Sequence, residues 1–129
     1  MEKVKSNVYG IKVGDIFVYN HTAYSNDIPY FYKVEALKGQ KQVIIREIEK
    51  EIVERDKDNQ YVQYVMPNLS KYVTKRSQLK DNINGEVRLV TLDKYNNPYI
   101  VIRKVYGVYS EEAYLWDGNK QKYYMSYLP

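Results

Sequence analysis

Short runs of alternating apolar and polar residues, separated by turn-forming residues, cover most of the chain. Such runs indicate half-buried strands, because successive side chains of a strand point to opposite faces of a sheet. The pattern predicts strands over 15–20, 30–37, 42–50, 61–66, 71–75, 86–92, 99–105, 113–116 and 122–127.

Clusters of Gly, Pro, Asn and Asp separate these runs and predict tight turns. The turn signals are Lys38-Gly-Gln-Lys, Asp56–Gln60, Asn84-Gly, Asn96-Asn-Pro and Asp117-Gly-Asn. The polar segment 21–27 is expected to be a loop, and Pro67 is expected to end the strand that begins at Tyr61. Residues 1–10 are expected to form a lead-in arm, and Leu115 and Trp116 are expected in the core.

Residues 43–55 fit two kinds of secondary structure. Ile45, Ile48 and Ile52 recur at a helical spacing, and Glu51 and Arg55 are four residues apart, as in a helical ion pair. The many β-branched residues of this segment favour a strand, because their χ1 angles are restricted in helices. We expect a long, bulged strand and keep one short helix as the alternative.

Eight to ten short antiparallel strands with regular turns predict an all-β fold. The segment from Gly14 to Arg46 is typical of a small SH3-like barrel, and a sandwich is the alternative architecture. A chain of 129 residues is long enough to bury a core of its own, so we expect a single domain over 1–129.

Two stretches carry a family resemblance. The first contains Gly14-Asp-Ile-Phe, Phe31-Tyr-Lys-Val and Val43-Ile-Ile-Arg-Glu-Ile, and the second contains Tyr99-Ile-Val-Ile-Arg-Lys and Ala113-Tyr-Leu-Trp-Asp-Gly. Together they resemble a group of small proteins encoded by phages, plasmids and integrated elements of low-GC Gram-positive bacteria. That group has no established activity, so the resemblance implies a setting on a mobile element and no site residue.

Tyrosine supplies 16 of the 129 residues, against two Phe, one Trp, one His and no Cys. A tyrosine ring is apolar with a polar tip and loses little rotamer entropy at a surface, so this bias is typical of a binding protein. His21 is the only histidine, which excludes a metal site with several His ligands, and no motif supports a Ser-His-Asp triad. We therefore expect no enzymatic activity, no metal and no cofactor.

A metal-dependent nuclease is a weaker alternative. Glu47, Glu49 and Glu51 alternate along the chain, so on a regular strand they would share a face where carboxylates can bind Mg²⁺. A solvated acidic face that protects a sheet edge is the more common role of such a pattern.

The net charge of +4 lies in the second part of the chain. Residues 1–70 hold ten basic and ten acidic side chains, whereas residues 71–129 hold ten basic and six acidic ones. A basic surface attracts phosphates or an acidic protein surface.

Tyrosines and basic residues are interleaved from residue 71 onward, as in proteins that stack single-stranded bases along a basic groove. On the strand 99–105, Tyr99, Val101 and Arg103 are expected on one face. The candidate binding residues are Tyr72, Lys75, Arg76, Arg88, Tyr99, Arg103, Lys104, Tyr106, Tyr109, Tyr114, Tyr123 and Tyr124.

The same aromatic and Arg residues are those that anchor protein interfaces. Our leading hypothesis is a non-enzymatic protein of a mobile element that occupies a host protein surface and inhibits a nucleic-acid-binding defence system, in the manner of an anti-CRISPR protein. Direct binding of single-stranded DNA or RNA is the alternative, and a homodimer formed through the aromatic patch or an edge strand is a further one.

No apolar run is long enough for a membrane helix, and the N-terminus lacks the apolar core of a signal peptide. With no cysteine, the chain also has no disulfide framework. We expect no membrane partner and a cytoplasmic location in a bacterial cell.

Overall fold

The computed structural model describes residues 5–23, 26–74, 83–105 and 109–125. Its strands are β1 (Ile16–Ala23), β2 (Asn26–Lys38), β3 (Gln42–Arg55), β4 (Val62–Tyr72), β5 (Asn84–Leu92), β6 (Pro98–Val105), β7 (Tyr109–Leu115) and β8 (Gln121–Tyr124). The all-β fold class is confirmed, and β3 confirms a long strand over 43–55. In these ranges there is no helix long and apolar enough to cross a membrane.

The eight antiparallel strands form one sheet that closes on itself as a barrel. Six strands make a ring, because β1 pairs with β2, β2 with β3, β3 with β5, β5 with β6, β6 with β7, and β7 with β1. The second half of β3 pairs with β4, and β4 pairs with β8. Strand β8 returns to β2 at the pair Asp27–Tyr124.

The interior of the six-stranded ring is the larger core. Alternate residues of each strand point inward, as the period of two requires. Phe17 of β1, Val34 of β2, Ile45 of β3 and Ile100 of β6 are fully buried there, and Val90 of β5 is nearly so.

A second core lies on the outer face of β1 and β2. Ile16, Val18, Phe31, Ile48 and Val65 are buried in it. Tyr72, Trp116 and Tyr123 pack against these residues and are partly buried. Strands β1 and β2 are therefore covered on both faces, which explains why Ile16-Phe-Val-Tyr is apolar without alternation.

Directly opposite residues form a row across seven strands on the outer face. From β5 to β4, through β6, β7, β1, β2 and β3, its members are Thr91, Tyr99, Tyr114, Val18, Phe31, Ile48 and Tyr72. The middle of this row is buried in the second core, and tyrosines stand on both sides of it. The second core thus separates two groups of half-buried tyrosines.

Three predicted turns are confirmed by their backbone conformation. Gly39, Asn96 and Gly118 have φ angles of 62°, 63° and 88°, in the left-handed region that Gly and Asn tolerate best. The turn at 56–60 is also present, where Asp56 Oδ1 accepts the N–H groups of Asp58 and Asn59.

The prediction of a loop over 21–27 is wrong for residues 21–23 and 26–27, and residues 24 and 25 lie outside the described residues. Strand β1 continues to Ala23, and β2 begins at Asn26, with Thr22 opposite Asp27. Thr22 Oγ1 donates to Asp27 Oδ1 at 3.2 Å, and the Tyr19 hydroxyl lies 2.8 Å from His21 Nδ1. Polar side chains are compatible with a strand here because they find partners within the hairpin.

Two further boundaries differ from expectation. Strand β4 continues through Pro67, which lies opposite Lys50 where the β3–β4 register shifts, and a proline is tolerated at such a bulge. Asn84-Gly is not a turn but the start of β5, beside a register shift between Ile45 and Arg46. Gly85 has a φ of 71°, which suits the irregular backbone of a bulge.

The segment before β1 packs against the barrel from residue 7 onward. Ile11 is fully buried in the larger core, and Asn7 is buried beside it. Asn7 Oδ1 accepts the N–H groups of Tyr9 and Ile11, both at 2.9 Å. The predicted core position of Leu115 is wrong, because its side chain is exposed at the end of β7.

Candidate binding surface

Tyr99 and Tyr114 face each other across the β6–β7 ladder on the outside of the barrel. Their ring centroids are 5.3 Å apart, and the ring planes are inclined by 30°. Ile100 and Ile102 are buried in the larger core, so Tyr99 and Val101 share the opposite face, as predicted. Arg103 does not continue this face regularly, because the β6–β7 register shifts between Val101 and Arg103 and places Arg103 opposite the buried Glu111. The two rings form one stacked aromatic surface on a rigid sheet.

The Asp93 carboxylate lies beside the Tyr114 hydroxyl. It accepts the N–H groups of Tyr95 at 2.8 Å and Asn97 at 2.9 Å. The hydrogen bond from Asn97 is the main reason that the pKa of Asp93 lies below its usual value. Partial burial, and then the nearby Asp93 charge, raise the pKa of Tyr114.

Apolar side chains extend this aromatic surface over β5 and β6. Leu89 is 55% exposed and shares the outer face of β5 with Thr91, which lies opposite Tyr99. Val101 is half-buried on β6. We call Leu89, Thr91, Tyr99, Val101 and Tyr114 the outer patch. Its exposed apolar area suits contact with another apolar surface.

Arg88 lies on the other face of β5 from the outer patch. It shares a face with buried Val90, and its guanidinium donates to Val87 O at 2.9 Å and to Ile102 O at 3.0 Å. It also forms an ion pair with Glu86 at 3.0 Å. The guanidinium therefore links β5 to β6 within the chain.

Arg103 and Lys104 lie at the end of β6. Arg103 Nη1 is 3.9 Å from Oε1 of Glu111, a carboxylate that is almost fully buried, while Lys104 is exposed. Tyr109 begins β7 opposite Val105. Three further candidate residues, Lys75, Arg76 and Tyr106, lie outside the described residues.

The remaining candidates, Tyr72, Tyr123 and Tyr124, lie beyond the second core. The Tyr72 ring is covered by two cations, with Arg46 Cζ 3.9 Å and Lys33 Nζ 5.8 Å from its centroid. Arg46 and Lys33 are opposite each other on β3 and β2. Sequence reasoning missed both, because only the strand register reveals that they meet at Tyr72.

The Lys50 ammonium lies against the rings of two tyrosines beside the second core. Its Nζ lies 4.6 Å from the ring centroid of Tyr30 and 5.7 Å from that of Tyr123. Burial lowers the pKa of Lys50, and the Glu49 charge opposes this shift. Burial, and then Tyr30, raise the pKa of Tyr123.

Two lysines on or beside β8 cover the neighbouring tyrosines. Lys120 Nζ lies 4.7 Å from the Tyr64 ring centroid, and Lys122 Nζ lies 5.4 Å from that of Tyr124. The tyrosines on this side of the second core are thus largely covered by cations of the chain itself. They differ in this from the stacked pair of the outer patch, for which the described residues show no cation over either ring.

The described residues show no cluster of three or more His, Cys, Asp or Glu side chains that could hold a metal ion. Glu47 is buried and Glu51 is exposed, and a register shift between Ile48 and Lys50 interrupts the regular alternation of this segment. The Mg²⁺-binding alternative based on these acidic residues therefore gains no support from the described geometry.

Comparison of the chain with protein-family models, curated proteins and solved structures found no match.

Proposed function

We propose that this chain is a non-enzymatic binding protein that acts by occupying the surface of another protein. The outer patch is the observation that supports this proposal. The Tyr99–Tyr114 pair is stacked on a closed sheet, next to the exposed Leu89 side chain. Tyrosine is enriched at the centres of protein interfaces, and a rigid ring loses little entropy on binding.

The proposed partner is a protein of a bacterial nucleic-acid-binding defence system, with the chain acting as an anti-CRISPR-like inhibitor in the cytoplasm of the host. The resemblance to proteins of phages and plasmids motivates this choice of partner. Inhibition by occupancy needs only a complementary surface and no chemistry, which fits a chain with a single histidine and no cysteine.

The test is phage infection of cells that carry an RNA-guided nuclease directed against that phage. Expression of the chain is expected to restore plaque formation. The double variant Tyr99→Ala/Tyr114→Ala is expected to lose this protection while keeping the circular dichroism spectrum of the β fold. Tyr95→Ala is the matched control, because Tyr95 is 71% exposed on the turn before β6.

Two outcomes would contradict this proposal. If the wild-type chain protects no phage against a panel of RNA-guided nucleases, the proposed partner class is wrong. If the double variant protects as well as the wild type, the outer patch is not the binding surface.

Direct binding of single-stranded nucleic acid is the second candidate. Lys120 and Lys122 favour it, because both side chains are about half exposed beside tyrosine rings. A phosphate would have to replace or share their ion pairs with Glu54 and Asp27. Binding of a labelled oligonucleotide should then weaken steeply with salt, and Lys120→Ala/Lys122→Ala should reduce that salt dependence. Affinity that is unaffected by salt or by this substitution would rule the candidate out.

A further inference from the structure

The second half of β3 has an open edge. The Glu47 N–H donates to Ile83 O at 2.8 Å, and the Glu47 carbonyl oxygen accepts the Val73 N–H at 3.1 Å. Because the N–H and C=O of one strand residue point to the same side, the start of β5 and the end of β4 follow the same edge of β3. Strand β2 follows the opposite edge, but its pairing with β3 reaches only to Ile48. From residue 51 to residue 55, β4 is the single partner of β3 among the described strands.

This edge segment also exposes apolar side chains. Residues 51–55 are all exposed, and Ile52 and Val53 are 46% and 48% accessible. Val53 is skipped by the β3–β4 register, which shifts between Ile52 and Glu54. An unpaired strand edge with exposed β-branched residues is a template for pairing with another strand.

The charges around Val53 are self-complementary. In an antiparallel pair of two copies centred on Val53, residue 51 of each copy lies opposite residue 55 of the other. Glu51 then meets Arg55 at both ends of the pair, and Val53 meets Val53 at the centre. Within the described residues neither Glu51 nor Arg55 has an ion pair.

The same symmetry continues beyond these five residues. In the sequence, Lys50 corresponds to Asp56 and Glu49 corresponds to Lys57, but Asp56 and Lys57 follow β3 in a turn, so the Glu51–Arg55 pairs are the ones that lie within the strand. Charged residues at a strand edge normally oppose pairing with another strand. Here the same charges favour pairing with a second copy in the antiparallel register centred on Val53.

We propose that the 51–55 edge of β3 is the docking site for a second copy of this chain, paired antiparallel about Val53. The contact is isologous, so it closes after two copies and forms a dimer rather than a fibre. Five residues per copy make a small interface, so the dimer is expected to be reversible. The outer patch lies on β5, β6 and β7 and remains open in such a dimer.

Disulfide trapping tests the register directly, because the chain has no cysteine of its own. In Val53→Cys the two introduced thiols lie opposite each other, about 4.5–5.5 Å apart between Cα atoms, which a disulfide spans. In Ile52→Cys, the matched control of nearly equal exposure, the two introduced residues are offset along the strands by two residues in total. Their Cα atoms are then roughly 8 Å apart, beyond the reach of a disulfide. We expect Val53→Cys to cross-link at least about tenfold faster than Ile52→Cys.

Charge reversal tests the pairing without cysteine. Glu51→Arg and Arg55→Glu each place like charges opposite each other at both ends of the pair, and each is expected to weaken dimerisation about tenfold in sedimentation equilibrium. An equimolar mixture of the two variants places opposite charges at both ends again, so a heterodimer is expected to form. Lys94→Glu, at an exposed turn, is the charge-matched control for Arg55→Glu.

Three results would overturn the proposal. The first is a wild-type chain that stays monomeric at millimolar concentration in sedimentation equilibrium. The second is equal cross-linking of the Val53→Cys and Ile52→Cys variants. The third is a pair of charge-reversal variants that dimerise as the wild type does or fail to associate when mixed.

Discussion

The Tyr114 hydroxyl lies beside the Asp93 carboxylate, which accepts the N–H groups of Tyr95 and Asn97. One carboxylate thus orders the turn between β5 and β6 and places its charge next to a ring of β7. The turn and the outer patch are therefore coupled through a single side chain.

This coupling predicts a specific acid sensitivity. The pKa of Asp93 is lowered in the folded chain, so its contribution to stability is present above the usual value near 3.8 and is lost as the pH falls through the folded value. Asp93→Ala should lower the melting temperature at pH 7 and reduce the loss of stability below pH 4. Asp58→Ala, in another exposed turn, is the control, and an equal effect of both substitutions would contradict the coupling.

The stacked Tyr99–Tyr114 pair should contribute to stability as well as to binding. A double-mutant cycle with Tyr99→Ala and Tyr114→Ala, measured by urea unfolding, is expected to give a coupling energy of about 0.5–1.5 kcal/mol. Tyr114→Phe should keep most of this coupling, because it removes only the hydroxyl beside Asp93 and leaves the ring. A coupling energy near zero would show that the rings are neighbours without mutual stabilisation.

The sequence predicted the strands best where apolar and polar residues alternate regularly. Tyr99 to Val105 is the clearest case, since Ile100 and Ile102 point inward and Tyr99 and Val101 point outward. It failed at residues 21–23 and 26–27, where the cross-strand hydrogen bond between Thr22 and Asp27 stabilises polar strand positions. It also failed at Pro67, because the bulge that accommodates this proline depends on the register of β3 against β4.

The candidate surface was predicted only in part, because residue type does not reveal what each cation contacts. Tyr99 and Tyr114 meet as a pair because the β6–β7 register places them opposite each other. The alternation of residues along each strand does not reveal that register. Arg88 was grouped with them, but its guanidinium bonds to the backbone of β5 and β6. The role of Lys50 depends on Tyr30, which lies twenty residues earlier on another strand.

The two cores are expected to unfold together, because β1, β2 and β3 contribute to both. Trp116 is the only tryptophan and packs edge-on against Phe31, with ring centroids 6.5 Å apart, so its fluorescence reports on the second core. Ile45→Ala in the larger core and Ile48→Ala in the second should each cost about 2–5 kcal/mol. Fluorescence and circular dichroism should give coincident transitions for both variants. If the fluorescence transition of Ile48→Ala preceded its circular dichroism transition, the second core would unfold alone.

Lys50 should destabilise the folded chain at neutral pH. Burial lowers its pKa, so between the folded value and the usual 10.5 the unfolded chain binds more protons, and stability rises with pH over that range. Lys50→Met keeps the apolar stem beside Tyr30 and Tyr123 and removes the buried charge. We expect it to raise the free energy of unfolding at pH 7 and to abolish the rise at alkaline pH, while Lys57→Met, in an exposed turn, should change neither. A less stable Lys50→Met variant would mean that the contacts of the ammonium with the two rings outweigh the cost of its burial.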